Sequence, residues 1–156
     1  MILICTGKHN AADAKRFADA LGDETYPLAE RLQGGRGCGL FSARPYVLVA
    51  DFKTVFSRRF LAGLRRTRLQ GSRILYCVFV GATPRGKENS QSFARTAMYD
   101  TLAGAVLRGC GLVLFGCEAF CRADEAGLGR AAAYVRDARP FARGAYPLRA
   151  RPAPKS

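Results

Sequence analysis

The chain has 156 residues, 49% of them apolar and 24% charged, and its 25 Lys+Arg against 12 Asp+Glu leave a formal net charge of +13. That composition excludes a long disordered chain, and the length suits one domain with a real core. Apolar runs such as Val47-Leu48-Val49-Ala50 fall far short of the ~18 residues that cross a bilayer, and Met1 leads straight into Ile2-Leu3-Ile4-Cys5 without a basic leader or cleavage site, so a cytoplasmic protein with no membrane role is expected.

In chain order, Ile2-Leu3-Ile4-Cys5 reads as a short strand stopped by Gly7. Ala14, Phe17, Ala18 and Leu21 then recur at helical spacing, with Gly22 placed as a left-handed cap. Glu24 to Pro27 is a brief second strand, and Gln33 to Gly39 is too rich in glycine for a regular element. Tyr46 to Ala50 is continuous and apolar enough for a strand buried on both faces. Phe56, Phe60, Leu61 and Leu64 mark the inner side of the next helix, and Arg58, Arg59, Arg65 and Arg66 its basic outer face. Ile74 to Val80 is a further strand, followed by a loop from Gly81 to Asn89. A helix capped by Ser90 or Ser92 packs through Phe93, Ala97, Leu102, Val106 and Leu107. Leu112 to Phe115 is the last strand; Asp124-Glu125 open a helix expected to stop before Pro140. Short apolar strands alternating with helices predict an α/β protein with a parallel sheet covered on both faces.

The charge is regional. No acidic residue lies between Asp51 and Glu88, a window that holds Lys53, Arg58, Arg59, Arg65, Arg66, Arg68, Arg73, Arg85 and Lys87. The end of the chain, from 143 to 156, reads as a flexible basic tail containing Arg149, Arg151 and Lys155.

Three pieces carry a family resemblance. Ile2-Leu3-Ile4-Cys5-Thr6-Gly7-Lys8-His9-Asn10, with Ala14, Phe17 and Leu21 downstream, looks like a first strand, phosphate loop and first helix. Phe93 to Leu102, followed by Leu107-Arg108-Gly109-Cys110-Gly111-Leu112-Val113, is similar to a fourth helix entering a fifth strand. Asp124-Glu125 leading to Ala131-Ala132-Ala133-Tyr134-Val135 looks like a closing helix. In this order and spacing the chain resembles flavodoxin from Ile2 to about Ala142. The resemblance implies a flavodoxin-like three-layer sandwich over residues 1–142, with a five-stranded parallel sheet of order 2-1-3-4-5 and flavin mononucleotide (FMN) at the carboxyl ends of the strands.

The same resemblance implies the site. Thr6, Gly7, Lys8, His9, Asn10 and Ala11 would hold the flavin phosphate at a helix N-terminus. Phe52 and Lys53 after the third strand, with Ala82, Thr83 and Gly86 after the fourth, would clasp the ring. The role would be electron transfer or a related redox activity, as a carrier or an FMN-dependent oxidoreductase, with a redox partner protein of acidic surface. A basic rim would favour the anionic hydroquinone and make the second-electron potential less negative than in an acidic relative. The sequence departs from the family pattern in its loop, which keeps Thr6 as its only hydroxyl, and in having no Trp. Two readings of these residues therefore stand side by side: a phosphate loop with a stacking Phe52, or a turn and cap at Gly7 and Asn10 with Phe52 packed over the next helix.

Other chemistry is sparse. His9 is the only histidine, which excludes a histidine-rich metal site. Cys117 and Cys121 lack the second pair that tetrahedral zinc needs, and Gly86-Lys87-Glu88 lacks the Ser/Thr of a nucleoside-triphosphate loop. Of the six thiols, Cys38 between glycines is the one expected at the surface. The competing function is a flavin-free binding module of the same fold that applies its basic surface to an acidic protein or to nucleic acid.

Overall fold

The computed structural model describes residues 1–81, 101–105 and 111–150, with side chains of the last helix described to residue 138. The strands are β1 (Ile2–Cys5), β2 (Thr25–Tyr26), β3 (Gly39–Ser42), β4 (Tyr46–Ala50), β5 (Arg68–Gly71), β6 (Ile74–Val80) and β7 (Val113–Phe120). The helices are α1 (Ala11–Leu21), α2 (Leu28–Arg31), α3 (Phe52–Val55), α4 (Arg58–Arg65), α5 (101–105) and α6 (Glu125–Ala150). Five strands form an all-parallel sheet in the order β2-β1-β4-β6-β7, and β3 pairs with β5, also parallel, in a separate ribbon.

Strand periodicity sorts the core into two layers. Ile2, Val47, Val49, Ile74, Tyr76, Val78 and Val80 point to one face, where Ala14, Phe17 and Ala18 of α1 and Leu128, Ala131, Ala132 and Val135 of α6 cover them. Leu3, Cys5, Leu48, Ala50, Leu75, Cys77 and Phe79 point to the other, under Leu28, Val55, Phe60, Leu64 and Leu102. Helices thus cover both faces, as the apolar character of β4 and β6 requires: every residue of both strands is buried.

Several expectations are corrected. The stretch expected to be one helix through Phe56 is two: Asp51 caps α3 by accepting from Thr54 N (2.9 Å), and Ser57 caps α4 by accepting from Phe60 N (3.1 Å). Phe56 ends α3 and is 44% exposed. The last strand runs on to Phe120 because it pairs along the whole length of β6, ending with Phe120 opposite Val80; among the described residues β6 is its one partner. It tolerates Gly116 and Glu118 there, and Phe115 bulges where the register shifts between Leu75 and Tyr76. Helix α6 continues past Pro140 to Ala150; proline removes one backbone donor and crowds the preceding turn but keeps a helical φ, so it weakens a helix without always ending it. The strands β3 and β5 were not expected at all.

The ribbon is fastened at several points. Arg68 N donates to Cys38 O (2.8 Å), Ser72 N to Ser42 O (2.7 Å), and the buried Tyr46 hydroxyl to Gln70 O. Thr67 donates to Gly63 O (2.8 Å) and accepts from Cys38 N (3.3 Å). Gly71 is required at its place, with φ 95° and a Cβ that would stand 2.0 Å from Ser42 O.

Candidate functional site

The carboxyl ends of β1 and β4 lie side by side, with Cys5 opposite Ala50, and the loops that leave them meet. The loop after β1 turns through a short 3-10 segment, Lys8–Asn10, into α1. Its organising group is Asp51, the residue after β4. One carboxylate oxygen accepts from Gly7 N (2.7 Å) and Asn10 Nδ2 (3.0 Å), the other from Thr54 N (2.9 Å). Asp51 is 6% exposed. Burial alone would push its pKa up, but hydrogen bonds from Thr54, from the Asn10 amide and from Gly7 N outweigh that and hold the carboxyl below its ordinary value. It is an ionised group at neutral pH.

The candidate residues of the first loop are therefore brought together, with unequal roles. Thr6 Oγ1 and Asn10 Oδ1 are buried atoms without a hydrogen-bond partner among the described residues. Asn10 Oδ1 lies against Gly81, where a Cβ would come within 2.5 Å of it; Gly81, at φ 75°, is thus the residue that lets the β6 end approach the loop. Lys8, His9 and Ala11 are exposed. Phe52 is half-buried and packs its ring at tilted angles on Phe79 (5.7 Å) and Phe56 (6.2 Å), while Lys53 is exposed. Ala82, Thr83 and Gly86 lie outside the described residues.

Two of the donors that the resemblance assigns to a flavin phosphate are already taken in this first loop. The N–H of Gly7 and the amide of Asn10 already serve a carboxylate, and a dianion brought to them would meet the Asp51 charge at hydrogen-bond range in a partly desolvated place. Phe52 likewise serves the core of this face. Beside the loop, Thr6, Gly7, Glu30, Gln33, Thr54, Ser57 and Arg59 help to line a cavity of about 280 Å³, which is at the low edge of ligand-pocket size.

Two of the thiols, Cys5 and Cys77, are fully buried. Burial, and next the Asp51 charge, push the Cys5 pKa well up. Burial, and next its contact with Cys117, do the same for Cys77, so neither supplies a thiolate at neutral pH. Cys38 is half-buried, not the open loop thiol expected. Among the described residues no group of three metal-ligating side chains occurs, and no helix is long and apolar enough to cross a membrane.

The second feature is the outer side of α4 and the chain beyond it. Ser57 starts the helix so that Phe60, Gly63 and Leu64 turn inward, which leaves Arg58, Arg59 and Arg65 outside, with Arg66 and Arg68 following; all five are exposed. Two arginines elsewhere meet acids: Arg16 contacts Asp13 (2.6 Å) and Glu125, and Arg44 meets Asp23 (2.8 Å). Among the described residues none of the five arginines forms an ion pair; Arg66 donates to Gly35 O (2.9 Å).

The residue that composition and motif reading passed over is Asp51. Its signal was an Asp directly after a strand and three residues before Thr54, the pattern of a helix cap. Comparison with family models, with curated proteins and with solved structures returns no match for this chain.

Proposed function

We propose that this chain is a flavin-free binding module on a flavodoxin-like frame, and that its arginine surface on α4 and β5 takes nucleic acid. Support for the frame comes from the strand order: with β3 and β5 set aside, the large sheet reads 2-1-3-4-5. The observation that carries the function is the set of five exposed arginines, Arg58, Arg59, Arg65, Arg66 and Arg68, none of which meets a carboxylate among the described residues. Such a surface gains affinity by releasing the counterions condensed on a phosphate backbone. Asp51 supports the flavin-free half of the reading, because it occupies two of the donors, Gly7 N and the Asn10 amide, that a flavin phosphate would use.

The test is direct. Labelled RNA and DNA strands are titrated with the purified protein at low salt, and flavin mononucleotide is titrated separately by its fluorescence. Binding of the strands without quenching of flavin is the expected result. Flavin quenching at stoichiometric amounts, or binding of polyglutamate in place of the strands, overturns the proposal; the second result would assign the surface to an acidic protein.

A further inference from the structure

The β3–β5 ribbon has two unlike sides. Register places Gly39 opposite Arg68, Leu40 opposite Leu69, and Phe41 opposite Gln70. In a parallel pair, residues two apart share a face, so Leu40 and Leu69 point to the core while Phe41, Arg68 and Gln70 share the outside. Burial agrees: Leu69 is buried, Leu40 half-buried, and Phe41, Arg68 and Gln70 are exposed. Phe41 is 65% exposed, the most open of the large apolar side chains described.

A lone exposed phenylalanine is ordinary. This one differs in its setting. It stands on a rigid ribbon, fastened below by Tyr46 and at its ends by Arg68 N and Ser72 N. It shares its face with a guanidinium and a side-chain amide. Arg65 and Arg66 lie before β5, separated from it by the buried Thr67, and Arg73 lies after it beyond Ser72; all three arginines are exposed. Beside the ring is an open cavity of about 360 Å³, lined in part by Ser42, Arg44, Asp23 and Glu24. The Asp23 charge there is answered by Arg44 (2.8 Å), while the exposed Glu24 has no ion pair among the described residues.

We infer that the outer face of this ribbon is a stacking platform for single-stranded nucleic acid, with Phe41 under a base, Gln70 at the base edge and Arg68 on the adjoining phosphate. The inference rests on the nucleic-acid reading of the arginine surface and adds to it the kind of strand. An aromatic ring can stack only on a base that is not already stacked in a duplex, and base stacking on an aromatic side chain is tolerant of sequence. An acidic protein would bury the ring as apolar area alone, without stacking on it. A strand gains from ring and cations together.

The experiment uses the full chain and short labelled probes: oligouridine RNA, oligothymidine DNA, a duplex, and heparin as a polyanion without bases. Phe41→Ala should weaken binding of a single strand by about fivefold or more while leaving heparin and duplex binding unchanged. Loss with RNA only, DNA only or both supports the platform and tells which strand it takes. Phe41→Trp should retain binding and, because the chain has no other Trp, should give a fluorescence that single strands quench and heparin does not. If Phe41→Ala leaves strand binding unchanged while Arg59→Glu with Arg65→Glu removes it, the platform is overturned and the arginine surface stands. If the native protein binds no strand at all, both fall.

Discussion

The loop after β1 and the outer side of α4–β5 are both places where this chain offers donors to an anion, and they are completed in opposite ways. In the first, the anion is internal: Asp51 takes Gly7 N and the Asn10 amide, and the loop is closed around a fixed charge. In the second, five arginines stand in solvent without a carboxylate among the described residues. On the proposed reading, the difference separates donors used by the fold from cations offered to a partner. Donors that the fold has satisfied serve stability, whereas cations left unpaired are available for a partner.

The largest effect that would break this contrast is charge reversal on the open side. Arg59→Glu, Arg65→Glu and Arg68→Glu together should weaken strand binding at least about a hundredfold, through loss of phosphate contacts and added repulsion. Circular dichroism should show the fold unchanged, since all three side chains are exposed. At the closed loop, Asp51→Ala should cost about 2 kcal/mol in urea unfolding, because it removes the acceptor of two backbone N–H groups and an amide in a partly buried place. Removing Asp13, whose carboxylate accepts from Arg16 (2.6 Å) and Ala123 N (2.9 Å) and so ties α1 to the start of α6, should cost about 2 kcal/mol by the same assay.

Acid should sharpen the contrast further. The Asp51 pKa is lowered on folding, so its contribution is complete above the ordinary carboxylate value near ~4 and is lost as pH falls through the lower folded value. Unfolding free energies of the native protein and of Asp51→Asn should therefore differ by a constant amount at neutral pH and converge in acid. A difference that grows on acidification would contradict the assignment. The smallest effect is at Ala123, whose φ of 59° is left-handed: Ala123→Gly should raise the thermal midpoint slightly, by relief of about 0.5–1 kcal/mol of backbone strain.

The large sheet was legible because its strands bury both faces. Ile2 to Cys5, Tyr46 to Ala50 and Ile74 to Val80 are continuous apolar runs, and the helical spacing of Ala14, Phe17, Ala18 and Leu21 makes α1 plain. Gly22 takes the left-handed cap expected of it, with φ 71°. The ribbon was not legible. Each of its strands has four residues with a single apolar side chain turned inward, Leu40 or Leu69, and glycine at one end, so period-two patterning has nothing to repeat over. The break between α3 and α4 was hidden because Phe56, though apolar, sits on neither helix. At the site, the residues around the first loop could be read from the sequence, but their state could not. Whether Gly7 and Asn10 face solvent or a carboxylate depends on Asp51, more than forty positions away, and only the pairing of β1 with β4 brings them together.

The most direct test is the salt dependence of binding between the native protein and a labelled single strand. If three to five arginines replace counterions, the logarithm of the association constant should fall linearly with the logarithm of salt concentration, with a slope of about −2 to −3.5. A slope near zero, or no binding at the lowest salt, would contradict the account.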